Sequence, residues 1–299
     1  MRKLDLAVGV GAADRGTAKL AKDRSYPPLP EPLPAPVVDN HTHIEPGQWP
    51  RPALSLDSQV EKASAVGVDR IVQCGCDLDS AYWTATEAVK NPAVLGAIAI
   101  HPNEAPRLEA KGAYQDGLNQ IRQWAIDNPR VRAIGETGLD FYRTGPEHHH
   151  TQIEAFKDHI ALAKELGLAL QIHDRDAHRE VVETLEAVGA PERTVFHCFS
   201  AGAELASICA ERGWYCSFAG TITFANAKGL VEAVGELPAS GVLLETDAPY
   251  LTAEPYRGRA NAPYLAALTM RRLASAMSMP LEAACAQVSA NSEAVYGTW

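Results

Sequence analysis

A closed (β/α)8 barrel is the fold this sequence predicts, and three observations predict it. Eight short apolar runs rich in β-branched residues alternate with amphipathic segments of helical period, the count a closed barrel requires. The runs are continuously apolar rather than alternating, as parallel strands covered by helices must be. Their polar residues gather at the C-terminal ends, which converge on one mouth in such a barrel. A doubly wound open sheet is the competing architecture.

Taken in order, residues 1–26 are polar and aperiodic, and 27–36 hold six prolines. Such a stretch favours an extended polyproline arm, so 1–35 is expected to lie outside the barrel and 36–299 to form it. Arg2 and Lys3 precede a weakly apolar stretch closed off by Asp5 and Asp14, which is not a convincing signal peptide. The strand-like runs are Val37–His43, Arg70–Gly75, Val94–His101, Val131–Glu136, Ala169–His173, Thr194–His197, Trp214–Ala219 and Val242–Asp247. Helical patterns fill the gaps at Asp57–Val66, Asp79–Lys90, Asp116–Asp127, Thr151–Leu166, Ala177–Val188, Ala203–Arg212 and Ala225–Val234. Asp57 and Asp79 are expected N-caps. Gly67, Gly167, Gly189, Gly213 and Gly235 are expected near helix C-termini. No short internal repeat is present.

Composition narrows the function. A chain of 299 residues with 46% hydrophobic and 21% charged residues is an ordinary globular composition, neither disordered nor fibrous. No apolar run reaches the length of a membrane span. The net charge of −10 argues against a nucleic-acid coat, which needs global positive charge. Local attraction to a metal or through an arginine cluster is still open. The six cysteines, Cys74, Cys76, Cys198, Cys209, Cys216 and Cys285, include no CxxC pair, and a chain this long needs no disulfides. A reducing cytosol is the simplest compartment. Cys198 and Cys216 read as buried thiols. Cys74-x-Cys76 is a weak soft-metal motif, since two thiolates are too few for a structural zinc.

Chemistry concentrates at the strand ends. Five of the ten histidines close a run, namely His41, His43, His101, His173 and His197, and Glu136 and Asp247 close two others. One strand-end histidine is ordinarily a satisfied buried residue, and one Asp or Glu there is ordinarily a helix cap. Seven at the same end of six strands strain both readings, because buried polar groups need partners. Imidazole with carboxylate, and no converging thiolate, suits a hard-to-borderline divalent ion. His41 and His43 stand at i and i+2, so on a strand both rings face one side. His148–His150 falls at a helix start where consecutive side chains diverge, and it reads as solvated. His159 and His178 are lone helical histidines with structural roles, and Trp83 and Trp124 read as helix packing.

The sequence resembles the TatD-type metal-dependent deoxyribonucleases, within the amidohydrolase-like barrels. The segments that carry the resemblance are DNHTHIE (39–45), AIHPNE (99–104), IGETGLDFYR (134–143), QIHDRDA (171–177), HCFSAG (197–202), ETDAPYL (245–251), RGRANAP (257–263) and the C-terminal LEAACAQVSANSEAVYG (281–297). They span about residues 36–297, and the arm lies outside the pattern. The resemblance implies two divalent ions per chain, of the Mg, Mn or Zn kind. It places His41, His43 and Asp247 on one, His173 and His197 on the second, and Glu136 between them. That agrees with the residues themselves, because two close cations need a shared anion. Other barrels of the superfamily bridge their ions with a carboxylated lysine, and no lysine ends any run here.

A hydroxide bridging the ions is the expected nucleophile, with Asp247 as ligand and proton acceptor. By resemblance His101 lies beside the substrate, as phosphate contact or proton donor. Arg143, Arg175, Arg257 and Arg259 follow strand ends and suit bidentate phosphate binding, although each could equally be a solvated loop residue. Asn261 is expected to brace its loop, with a turn at Pro263. The expected activity is removal of nucleotides from DNA ends, single-stranded by preference, with no membrane and no obligate protein partner. The same metal pair would also serve hydrolysis of an amide, lactone or phosphotriester. A metal-binding protein without turnover is the third reading, disfavoured because all six ligand positions match.

Overall fold

The computed structural model describes residues 24–47 and 53–299. The reading of Arg2 to Asp14 as lacking a signal peptide, and the arm before Arg24, lie outside the described residues.

Strands and helices alternate in the order β1 (Val37–Thr42), α1 (Leu56–Ser64), β2 (Val68–Gly75), α2 (Leu78–Thr86), β3 (Val94–Ile98), α3 (Ala105–Glu109), α4 (Tyr114–Asp127), β4 (Val131–Asp140), α5 (His149–Leu166), β5 (Ala169–Arg175), α6 (His178–Val188), β6 (Thr194–Phe196), α7 (Ala203–Arg212), β7 (Tyr215–Phe218), α8 (Lys228–Glu236), β8 (Val242–Leu244), α9 (Ala266–Ala276) and α10 (Leu281–Tyr296). The eight strands are parallel and stand in sequence order. Sequential order excludes the doubly wound sheet, whose strand order reverses midway. The seam closes just beyond β8. Thr42 bridges Ala248 in parallel, and backbone bonds run from Asp247 N–H to His41 O (3.0 Å) and from His43 N–H to Ala248 O (2.6 Å). The chain is a TIM barrel.

Adjacent residues on a strand serve opposite faces. Val38, Val72, Leu95, Ala97, Ala133, Ala169, Val195 and Leu243 form one fully buried cluster with Val295 and Tyr296 of α10. Val37, Ile71, Ile98, Ile134, Leu170 and Phe196 join the larger cluster shared with the helices. The continuous apolar runs follow from this burial on both faces. Tyr296 reaches the barrel interior, where its hydroxyl accepts from Gln171 Nε2 at 2.6 Å.

Two helix starts differ from expectation. Ser55 caps α1, accepting from Ser58 N–H, and Asp77 caps α2 in a reciprocal box with Ser80. Asp57 and Asp79 fall two residues later, within the first turn, where a negative charge still favours the helix dipole. Gly235 is the penultimate residue of α8, near the C-terminus as expected; the helix ends at Glu236 and Leu237 is already extended, because the residue preceding proline avoids helical backbone. Cys198 is half-buried rather than buried.

The described part of the arm lies along the outside of the barrel. Leu33 is buried, and its N–H donates to Val66 O at 3.0 Å. The Tyr264 hydroxyl donates to Pro27 O, and Arg271 donates to the carbonyls of Glu31 (2.9 Å) and Pro32 (3.0 Å).

Candidate metal centre

Backbone geometry delivers the polar residues to the mouth. Glu136 is carried by β4 between two glycines that let β4 press onto β5. A Cβ at Gly135 would stand 2.5 Å from the Gln171 side chain, and one at Gly138 would stand 2.2 Å from His173 O. Gly138 also has φ +136°, a region closed to other residues. Asp247 has φ +54°, which Asp tolerates better than most residues. Its own N–H bond to His41 O and the Tyr250 N–H bond to its carbonyl (2.8 Å) hold it there.

The six expected ligands meet around Glu136. Glu136 Oε1 lies 2.5 Å from His173 Nδ1 and 2.8 Å from His197 Nε2. Its Oε2 lies 3.7 Å from His41 Nε2 and 3.5 Å from His43 Nε2. Asp247 Oδ1 is 3.5 Å from His43 Nε2, and His41, His197 and Asp247 form one compact donor group. All but His173 are buried. Burial works to raise the Glu136 pKa, but the charges of His197, His101 and His173 overcome it and hold the group well below the usual carboxylate range. Burial likewise opposes the His173 imidazolium, but Glu136 and Asp140 outweigh it and lift that pKa to about 9. In the absence of a cation, a proton on His173 holds part of this negative charge.

Outer partners fix how the rings present themselves. His41 Nδ1–H donates to Gln171 Oε1 (2.9 Å), His43 Nδ1–H to Cys74 O (3.0 Å) and His197 Nδ1–H to Glu245 Oε1 (3.3 Å). Each therefore aims its Nε2 lone pair inward, as ligand histidines do. The consequence is plain at His41 and His43, whose Nε2 atoms stand 3.1 Å apart. Two lone pairs repel at that distance unless a cation lies between them. Nitrogens bound to one ion at about 2.0–2.1 Å stand roughly 3 Å apart, so these residues fit a divalent metal.

His101 is held differently from the other four histidines. Asn103 N–H donates to its Nδ1 at 3.0 Å, so the neutral ring keeps its proton on Nε2. That nitrogen faces Glu136 Oε1 at 3.6 Å. His101, Glu136 and His173 are close enough to form a donor group, but the tautomer makes His101 a proton donor at this site.

The arginines fare unequally. Arg175 lies over the Tyr142 ring at 4.2 Å, and Arg257 over Phe224 at 4.2 Å. Arg143 is exposed and meets Asp140 through its backbone N–H (2.8 Å). The Arg259 guanidinium is engaged by Ser25 and by the Tyr26 carbonyl of the arm. Asn261 braces the loop after β8 through Thr246 O (2.9 Å) and Tyr250 O.

Away from the centre, His148 and His150 are exposed, and His149 stacks on Phe141 at 3.6 Å. His159 is buried and fully paired. His178 bonds Asp174 Oδ2 at 2.7 Å.

Several residues at the mouth escaped the sequence reading. Gln171, Glu245 and Asp140 orient the rings of His41, His197 and His173, contacts that only the fold brings together. Tyr250 and Tyr142 are each 53% exposed, and the Tyr250 ring meets His43 at 6.1 Å. The absence of converging thiolates is corrected by the structure. Cys76 Sγ stands 3.3 Å from Glu136 Oε2, and Cys74 falls within the donor group of His41, His43 and Glu136. Both thiols follow from the i, i+2 spacing on one strand face.

Comparison with known proteins agrees with this geometry. The family model of TatD related DNase matches residues 38–297. A Mycobacterium tuberculosis protein described as the uncharacterized metal-dependent hydrolase TatD is 40% identical, over 87% of this chain and 98% of its own. The Bacillus subtilis metal-dependent hydrolase YabD is 34% identical, over 82% and 93%. The crystal structure of the Escherichia coli TatD homologue YjjV shares the fold, with a TM-score of 0.79 at 23% identity over 87% of this chain and 97% of that one. Barrel, converging donors and family match together assign the chain to the TatD related DNase family of metal-dependent hydrolases.

Proposed function

We propose that this protein is a deoxyribonuclease that removes nucleotides from DNA ends, single-stranded by preference, with two divalent ions held by His41, His43, Glu136, His173, His197 and Asp247. The observation that carries the reading is the arrangement of donors on both sides of Glu136, whose two oxygens face different histidines. Bound divalent ions would supply Lewis acidity, lower the pKa of a water and offset charge on phosphoryl oxygens. The chain supplies the rest. Asp247 presents a carboxylate at the seam, beside His43, as proton acceptor. His101 directs its Nε2–H into the site, placed to donate to a leaving oxygen. Glu136, kept ionised by its histidines, holds the two donor groups in register.

Substrate recognition follows from what rims the mouth. Tyr250 and Tyr142 are exposed rings, and bases stack on such rings irrespective of sequence. Arg175 and Arg257 lie over aromatic rings, where a guanidinium can still meet a phosphate. Ligands buried at the end of a barrel admit a strand end more readily than the middle of a duplex. Cobalt, nickel and zinc suit the imidazoles, and magnesium or manganese the phosphate.

The test is apo-protein reconstituted with magnesium, manganese or zinc and offered single-stranded DNA, RNA, a lactone and an acylated peptide side by side. Release of mononucleotides from DNA, faster from single strands, is the expected result. Turnover of the lactone or peptide with no nucleotide release would replace this reading with a carbonyl hydrolase.

A further inference from the structure

The end of β2 brings sulfur to the centre, and nothing in the reading above uses it. Cys76 Sγ lies 3.3 Å from Glu136 Oε2 and 3.6 Å from His43 Nδ1. Cys74 is wholly buried, and its Sγ lies within 4.8 Å of donor atoms of His41, His43 and Glu136. A buried thiol is ordinarily a small apolar filler. That account fits Cys209 and Cys216, which are both buried and lie in the core cluster shared with the helices. It does not fit a thiol directed at a carboxylate that already faces five histidines.

The segment is also held rigidly. A Cβ on Gly75 would stand 2.5 Å from Ala81 Cα, so α2 packs directly on the strand end. Cys76 N–H donates to Ser80 Oγ at 3.0 Å, inside the box that caps α2. The Cys74 carbonyl meanwhile orients His43. Strand end, helix start and ligand ring therefore form one unit with the sulfurs on the inner side.

We propose that the Cys74–Gly75–Cys76 segment gives this metal centre a sulfur donor, on the side of His41, His43 and Glu136, and so selects a thiophilic ion such as zinc or cobalt over magnesium. The inference rests on the metal-centre reading and goes beyond it. Two ligands at about 2.1 and 2.3 Å from one ion can stand no more than about 4.4 Å apart, a spacing that small side-chain rotations reach from the observed arrangement. On binding, the thiol gives its proton to solvent and the sulfur lone pair fills a coordination position. No oxidant is involved. Soft ligands favour zinc-like ions, and magnesium takes oxygen.

Full-length apo-protein titrated with cobalt(II) tests this, with bound cobalt measured by elemental analysis. The wild type should show a near-ultraviolet sulfur-to-cobalt charge-transfer band. Cys74→Ser and Cys76→Ser identify the donor, which is the variant that loses the band. Losing that sulfur should weaken cobalt binding at least about tenfold, the scale of even an outer-shell partner, with magnesium binding unchanged. Circular dichroism confirms that each variant folds. A second readout needs no variant: zinc should protect these thiols of the wild type from iodoacetamide, and magnesium should not. Bound cobalt with no charge-transfer band, or equal alkylation under zinc and magnesium, overturns the sulfur donor alone. Failure of the wild type to bind cobalt or zinc at all overturns the metal centre and the proposal together.

Discussion

Asp247 is where residue chemistry and fold are easiest to separate. Asn keeps its shape and also tolerates the left-handed backbone that φ +54° imposes. Asp247→Asn should therefore melt close to wild type while turnover falls by at least about 10²-fold, the scale of a lost acid–base group. Near-normal activity would remove Asp247 from the chemistry. His101→Ala is the companion. Because Asn103 N–H occupies the His101 Nδ1, His101→Ala should lower nuclease turnover while metal content per chain, measured by elemental analysis, stays at the wild-type value. Loss of metal would make His101 a ligand. At this scale the sequence was most legible where a polar type is costly. A strand-end histidine or carboxylate is conspicuous among buried apolar residues, so the six residues that converge on Glu136 stood out. Cys74-x-Cys76 stood out only weakly as a soft-metal motif, because thiols are at home in cores. Gln171 and Glu245 hid because only the fold brings them beside His41 and His197.

At the scale of elements, apolar runs marked the strands, but two helix caps shifted by two residues because Ser and Asp crowd those junctions and only hydrogen-bond geometry chooses among them. One inter-element contact makes a measurable prediction. His159 on α5 is fully buried, its Nδ1–H donating to Ala155 O (2.7 Å) and its Nε2 accepting from Ile100 N–H (3.1 Å) just after β3. Protonation would set two N–H groups against each other, and burial lowers its pKa from 6.5 to about 4. The unfolded chain thus binds the proton first. This contribution is intact above the unfolded pKa and is lost progressively as pH falls from about 6.5 towards 4, at most on the order of 3 kcal/mol. His159→Gln keeps a donor and an acceptor without a titrating proton. Urea midpoints at pH 7 and pH 5 should converge for the variant relative to wild type. An equal fall in both proteins would show that His159 does not couple α5 to β3 through its neutral ring.

Over the whole molecule, charge and function appear to conflict, since a chain of net charge −10 is proposed to act on DNA. The conflict dissolves if attraction is local. Each protein cation that meets a single-strand phosphate contributes about 0.7 to the slope of log affinity against log salt, whereas diffuse charge is screened beyond roughly 8–10 Å. Arg175 tests this best, because it belongs to β5 only two residues after His173 and lies on the exposed Tyr142 ring. Arg175→Gln removes the charge and leaves a polar side chain over the ring. Binding of a short single strand, measured over a salt series under calcium or without metal so that no cleavage intervenes, should lose about 0.7 of its slope. Arg271→Gln is the control, because Arg271 faces the arm through Glu31 and Pro32 carbonyls on the outside of the barrel. It should leave the slope unchanged while lowering the melting temperature, through the loss of two hydrogen bonds worth about 1 kcal/mol each. Equal slopes for wild type and Arg175→Gln would mean that the strand does not pass Tyr142. The rim from Tyr250 to Arg257 would then be the next path to test, with Arg257→Gln in the same salt series.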